Sequence, residues 1–224
     1  MRQFYKLIEA QKLSPVATQL TWFHYCELLS FNDINEINYY INTTERYNLS
    51  VRELREKIKN KEYQRLDDNT KLKLISKEKM SIGDTIKNPI IIKNKLGIDR
   101  ENMSEKTLQR LILEDIPSFL EELGDGYSFI KNEYKIKINN TYNYIDLLLF
   151  NYIYNSFVVV ELKVTEVRKE HIGQIQIYMN YVDKNIKTIN QDKTIGVIIC
   201  KKDNGYYIEY SSDSRIYHKE YILN

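Results

Sequence analysis

Residues 157–163 read Phe-Val-Val-Val-Glu-Leu-Lys, an apolar run of strand length that ends in two opposite charges. Because Glu161 and Lys163 are two residues apart, their side chains lie on the same face of a strand. Such a pair is also typical of an ordinary salt bridge at the rim of a sheet. The neighbouring sequence has to decide between a chemical site and a salt bridge.

The preceding strand supplies a second carboxylate. Asp146 lies in Tyr144-Ile-Asp-Leu-Leu-Leu-Phe150, an otherwise apolar segment in which an unpaired charge is costly, so it needs a cation or a metal. Antiparallel pairing across the turn at 151–156 places Asp146 and Glu161 at comparable depth. Two converging carboxylates with a main-chain carbonyl near Leu162 suit Mg²⁺, for which Mn²⁺ can substitute. With Lys163 to orient or deprotonate a water molecule, the chemistry indicated is phosphodiester hydrolysis.

The elements around these strands predict a mixed α/β domain. A helix capped by Ser104 carries an apolar stripe and ends at Gly124, with a kink expected at Pro117. Further elements are predicted by alternating or helical periodicity: strands over 127–138, 144–152, 157–163 and 194–200, a helix over 167–182, and edge strands over 206–210 and 217–223. The order is helix, three strands, helix, strand.

The amino-terminal half has helical periodicity instead. It predicts helices over residues 15–30, 35–47 and 50–59, the third opened by a capping box at Ser50, and a connecting segment over 67–95. The domain boundaries expected are therefore 1–100 for a helical domain with a basic connecting segment and 101–224 for the mixed domain. Residues 51–95 carry 13 basic and 7 acidic side chains, which is compatible with a face that tracks phosphates or with a solvated linker.

Composition excludes several classes of protein. The formal net charge is only +2, and the longest apolar runs are too short to span a membrane. Charged residues interrupt the first residues of the chain, so we expect no secretory signal there, and two cysteines support neither a disulfide framework nor a zinc site. We expect a cytoplasmic protein that is not inserted in a membrane.

Together these motifs resemble the PD-(D/E)xK nuclease superfamily. Asp146 followed by Glu161-Leu-Lys163 matches its signature, and Gln174 with Tyr178 looks like the Q-x-x-x-Y motif of some branches. Matching segments extend the resemblance to bacterial YhcG-type proteins over nearly the whole chain: 119–124, 144–150, 159–163 and 195–201, and in the helical half 17–25 and 50–55. Those proteins carry further helical sequence before the segment that matches residues 1–5, so we expect this chain to begin partway through that domain.

The resemblance implies a role for each candidate residue. Asp146, Glu161 and the main-chain carbonyl of Leu162 are expected to bind the metal, and Lys163 is expected to act on the attacking water. Gln174 is expected to line the site, although it also suits an ordinary polar position of a helix. Superfamily members often add a carboxylate from the helix before the first strand. The candidate for that carboxylate is Glu114, with Glu121 as the second choice. Residues assigned to substrate contacts on weaker grounds are Tyr178, His171, Lys201 and Lys202.

The function expected is a Mg²⁺-dependent deoxyribonuclease. The alternative is a nuclease-like domain that binds nucleic acid or a partner in a defence or genome-maintenance assembly without cutting. Retention of Asp146, Glu161 and Lys163 favours the enzyme, because a module that only binds has no reason to hold two like charges together. The sequence leaves open DNA or RNA as the substrate, and it also leaves open a homodimer.

Overall fold

A computed structural model describes residues 20–202 and 213–224. The chain divides into two compact units, Met1–Glu78 and Lys79–Asn224. The division lies before the expected boundary near residue 100, because residues 79–100 contribute to the sheet and the core of the second unit. The predicted strand at 206–210 and the first part of the helix predicted over 15–30 fall outside the described residues. Among the described residues, no helix combines the length and the hydropathy needed to cross a bilayer.

The first unit is helical, as expected. Its described helices are α1 (Trp22–Leu28), α2 (Ile34–Tyr47), α3 (Val51–Lys59) and α4 (Asp68–Ser76). Leu28, Tyr40 and Leu54 are fully buried between α1, α2 and α3. The predicted capping box is present, since Glu53 N donates to Ser50 Oγ and Ser50 N donates to Glu53 Oε2.

The second unit is a six-stranded mixed sheet with helices on both faces. Its elements are β1 (Ile90–Ile92), α5 (Glu105–Glu114), α6 (Ile116–Leu123), β2 (Tyr127–Ile138), β3 (Thr141–Asn151), β4 (Ser156–Glu166), α7 (Lys169–Asn185), β5 (Ile195–Lys202) and β6 (Ile216–Leu223), and short 3₁₀ turns cover Ile82–Thr85 and Arg100–Asn102. The strand order is β1-β6-β5-β4-β3-β2. The pairs β2/β3 and β3/β4 are antiparallel, whereas β4/β5, β5/β6 and β1/β6 are parallel.

The prediction that residues 67–95 form only a connecting segment is wrong. Residues 68–76 form α4, and Ile90–Ile92 forms β1, which pairs in parallel with Tyr221–Leu223 of β6. This pairing also places β6 inside the sheet, although the sequence predicts an edge strand there. A three-residue strand directly after Pro89 is too short to show the alternation that identifies longer strands.

The helix expected from Ser104 to Gly124 is two helices. Asp115 ends α5 and caps α6, where its Oδ1 accepts a hydrogen bond from Ser118 N at 3.3 Å. Pro117 lies in the first turn of α6, where its missing N–H needs no partner within the helix. The proline thus begins a new helix instead of bending a continuous one.

Two apolar layers enclose the sheet. The layer that includes α5 and α6 contains Leu108, Leu111 and Phe119, and the layer that includes α7 contains Ile175 and Met179. Strand β4 serves both layers: its fully buried residues are Val158, Val159, Val160 and Leu162. The candidate site lies at the end of this buried strand.

Candidate active site

The site forms where β3 and β4 stop pairing through their backbones. The described ladder between them ends at Leu147 opposite Val160, so the next position in register is Asp146 opposite Glu161. There, Leu162 N donates to the Asp146 carboxylate, Oδ2, at 2.8 Å. The carboxylate of Asp146 therefore replaces a backbone acceptor of the ladder at this position. Asp146 and Glu161 lie at the same level along the two strands, as the antiparallel pairing predicts.

A helix residue that the sequence did not single out completes this arrangement. Gln109 of α5 is buried, and its Nε2 donates to the main-chain oxygen of Asp146 at 3.0 Å. The contact satisfies a carbonyl that would otherwise be costly to leave unpaired in the protein interior. Gln109 is therefore a positioning residue, which acts on the site through the backbone of Asp146.

Glu161 is the most deeply buried carboxylate of the site. It is 2% exposed, and its Oε1 accepts a hydrogen bond from Lys163 Nζ at 3.0 Å. Its Oε2 is buried and has no hydrogen-bond partner among the described residues. Burial, together with the charge of Asp146, raises the pKa of Glu161 to about 7. Glu161 is thus a buried carboxylate with one oxygen available for a cation.

The charges around Lys163 favour its ammonium form. Burial acts to lower the pKa of Lys163, but the carboxylates of Glu161, Glu105 and Asp146 outweigh it and raise the pKa above the ordinary value. Burial also raises the pKa of Asp146, against the opposing hydrogen bond from Leu162 N. At neutral pH in the metal-free protein, Lys163 therefore acts as a fixed positive charge.

The α5 carboxylate with a described contact to the site is that of Glu105, whereas the sequence favoured Glu114. Glu105 lies in the first turn of α5, and its Oε2 is 3.4 Å from Lys163 Nζ. Glu114 is the last residue of α5, roughly 13 Å further along the helix axis, and Glu121 belongs to α6. The apolar stripe of a helix shows which face packs but not which end lies at the site. The spacing of Glu105 and Gln109, which puts both on one face of α5, was the available signal.

Gln174 and Tyr178 lie together on α7, one turn apart. Gln174 Nε2 donates to Tyr178 Oη at 3.0 Å, and Tyr178 is 5% exposed. Burial raises the pKa of Tyr178, and the nearby charges of Glu161 and Asp146 act in the same direction. The pair therefore borders the carboxylates, and its hydrogen bond orients the Gln174 amide.

The remaining predicted contacts have partners within the protein. His171 Nδ1 accepts a hydrogen bond from Arg168 N at the start of α7, and burial and then the charge of Lys163 lower the pKa of His171. Lys201 and Lys202 follow Cys200, the residue of β5 that pairs with Lys163. Their ammonium groups form ion pairs, Lys201 with Glu101 at 2.8 Å and Lys202 with Glu166 at 3.5 Å.

The donor set fits a hard divalent cation. It consists of the carboxylates of Asp146 and Glu161 and the carbonyl of Leu162, which points toward β3 because the N–H and C=O of a strand residue face the same side. Within residues 20–202 and 213–224, no group of three or more His, Cys, Asp or Glu side chains is arranged to hold a metal ion. Mg²⁺ does not require one, since it is commonly held by one or two carboxylates, waters and substrate phosphates. The unpartnered Oε2 of Glu161 is the specific feature that such a cation would satisfy.

Comparisons with known proteins identify the family of the chain. Residues 83–222 match the family described as the YhcG PDDEXK nuclease domain, and residues 1–65 match the DUF1016 N-terminal domain. The protein named "Putative nuclease YhcG" of Escherichia coli (strain K12) is 24% identical over 207 residues, which cover 90% of this chain and 55% of that protein. The chain thus spans about half the length of this relative.

Two solved structures resemble about half of the chain. One is described as a repair endonuclease from Pyrococcus abyssi, with 17% identity, a TM-score of 0.40 and coverage of 53% of this chain and 47% of the other. The second is described as an EndoMS-dsDNA2 complex, with 16% identity, a TM-score of 0.41 and coverage of 57% and 46%.

Proposed function

Because the chain belongs to the YhcG PDDEXK nuclease domain family, we propose that it is a metal-dependent nuclease that hydrolyses phosphodiester bonds of DNA at Asp146, Glu161 and Lys163. The observation that carries the proposal is the buried Oε2 of Glu161, which has no hydrogen-bond partner among the described residues, while Oε1 is paired with Lys163. A buried carboxylate oxygen without a donor is costly in the protein alone, and a bound cation offsets that cost. The expected ion is Mg²⁺, and Mn²⁺ is expected to replace it.

The side chains around the cation have separate tasks. We assign Asp146, Glu161 and the carbonyl of Leu162 to holding it, and the hydrogen bond from Leu162 N fixes one oxygen of Asp146. When bound, the cation supplies charge to offset the developing negative charge on the phosphate and lowers the pKa of a coordinated water. Glu105 lies near enough to Lys163 to contribute a third carboxylate to this end of the sheet.

Lys163 is proposed to orient the attacking water and the phosphate. Its Nζ lies between Glu161 Oε1 at 3.0 Å and Glu105 Oε2 at 3.4 Å, so its position is held from two sides. The raised pKa of Lys163 in the metal-free protein favours electrostatic orientation over proton abstraction in that state. Gln174 and Tyr178 line the same site, and we assign them to the positioning of the substrate.

The test is a cleavage assay with matched site and control variants. Wild-type protein is incubated with plasmid, linear duplex, single-stranded DNA and RNA, with Mg²⁺ or with a chelator. We expect cleavage of DNA that requires Mg²⁺ and that Glu161→Gln abolishes. The control is Glu166→Gln, which removes the same charge from an exposed position of the same strand and should cleave normally.

Two results would contradict the proposal. Binding of DNA without cleavage in every metal condition would favour the alternative of a module that only binds. Equal cleavage by wild-type protein and Glu161→Gln would show that the activity resides elsewhere. If the protein cleaves RNA in preference to DNA, the proposed site and its chemistry stand, and the proposed substrate is wrong.

A further inference from the structure

A groove lies between the β2–β3 hairpin and the first half of α7. Its volume is about 660 Å³, within the range of sites that hold small organic groups. Gln174 and Tyr178 form part of its wall, so the groove continues from the candidate active site. Tyr178 packs in the same apolar cluster as Leu148 and Val159, which lie two residues from Asp146 and Glu161 on their strands.

The chemistry of the lining favours a neutral ring over a phosphate. Amide groups come from Asn139, Asn143 and Gln174, and a carboxylate comes from Glu170. None of the described lining residues is Lys or Arg, and the charge of Glu170 disfavours an anion. Amide and carboxylate side chains are the groups that pair with the donor and acceptor edges of nucleobases.

Gly173 of α7 leaves one part of the groove wall without a side chain. It lies in the groove, within a helix, where glycine is less favourable than alanine. A Cβ built on Gly173 would have no heavy atom within 4 Å, so packing within the described protein does not explain the glycine. The missing side chain instead leaves the wall of the groove flat between the amides and Glu170.

We propose that this groove holds an unpaired nucleobase of the strand that is being cut, with the base lying against Gly173 and its polar edge meeting the amides and Glu170. The inference rests on the nuclease function proposed above and specifies its substrate as a strand with at least one unstacked base at the site. It assigns Gly173 and Asn143 to base binding, separately from the carboxylates that hold the cation.

The experiment compares oligonucleotides of equal charge with and without bases. The full chain is titrated into a short fluorescent single-stranded oligonucleotide, or into an abasic backbone of the same length, in a chelator, and anisotropy is recorded. We expect wild-type protein to bind the base-bearing strand about tenfold more tightly, as one stacked base would give. Gly173→Leu should reduce that preference to about twofold or less, because the added side chain fills the groove. Asn180→Leu, an exposed change on the same helix outside the groove, should leave it intact.

Gly173→Ala separates a structural role from a binding role. Since alanine stabilises an exposed helix, we expect its Tm to rise by about 1–4 °C while its affinity for the base-bearing strand falls about threefold. A variant that is more stable and binds less well cannot be explained by damage to the fold. Unchanged affinity in both Gly173→Ala and Gly173→Leu would overturn the assignment.

The outcomes also separate this inference from the proposed function. If wild-type protein cleaves DNA but binds the abasic and base-bearing strands equally, the base site is wrong and the nuclease proposal stands. If it neither binds nor cleaves any strand, the nuclease proposal fails and the base site fails with it.

Discussion

Replacing Glu161 with glutamine should stabilise the metal-free protein. The side chain is 2% exposed, and its carboxyl pKa of about 7 exceeds the ordinary 4.5, so ionisation opposes folding. With about 1.4 kcal/mol for each tenfold change in an equilibrium constant, the ionised form costs about 3 kcal/mol at pH 8. Glutamine avoids this cost but leaves Lys163 with a weaker partner. We therefore expect a net gain of about 1–2 kcal/mol in the free energy of unfolding.

The pH dependence gives the sign of this effect. Because the pKa of Glu161 is raised in the folded state, its contribution to stability is complete below pH 4.5 and is lost as the pH rises through 7. Urea unfolding in a chelator at pH 5 and pH 8 should thus show that the advantage of Glu161→Gln grows with pH. Glu166→Gln serves as the control, and its stability should differ from wild type by about 0.5 kcal/mol or less at both values. A variant at Glu161 that is less stable than wild type at pH 8 would refute the reasoning.

Three further predictions concern the surroundings of the site. Gln109→Met keeps the side-chain volume but removes the hydrogen bond that Gln109 donates to the carbonyl of Asp146. Urea unfolding should show a loss of about 1–3 kcal/mol in stability, and calorimetry should show a weaker affinity for Mn²⁺. The control variant Arg110→Met should change neither quantity. Lys163→Arg should lose about 100-fold in single-turnover cleavage, because a planar guanidinium cannot replace a compact ammonium held from two sides and misplaces the water that it orients. A rate near that of wild type would show that any positive charge suffices at this position. Removal of residues 1–78 should leave a cooperatively folding protein, whereas removal of 1–100 also deletes β1 and should lower the Tm markedly; equal Tm values would contradict the observed boundary.

Local sequence was sufficient for the parts of the site that lie along two adjacent strands. The spacing of Glu161 and Lys163 puts them on one face of β4. Because the turn between β3 and β4 is short, counting residues from the turn places Asp146 opposite Glu161. The order of the elements after Ser104 could be read from changes of period because each of these segments is long. The strands of 11 and 12 residues that form β2, β3 and β4 show this most clearly.

The contacts that depend on packing could not be read from the sequence. Which end of α5 approaches β4 is set by the tertiary structure, and this decides between Glu105 and Glu114. The hydrogen bond from Gln109 to the main-chain oxygen of Asp146 joins residues 37 positions apart, which no local pattern encodes. The apolar stripe of α5 predicts a helix, but it does not show which of its polar residues contact the site.

Calorimetric titration with Mn²⁺ tests the central claim most directly, because it asks whether Asp146 and Glu161 hold a cation. Wild-type protein and Glu166→Gln are expected to bind one ion with equal affinity. Asp146→Asn and Glu161→Gln should bind at least about tenfold more weakly while remaining folded, since each loses one of two charged oxygen ligands. Unchanged Mn²⁺ binding in both site variants would contradict the metal assignment and the mechanism built on it.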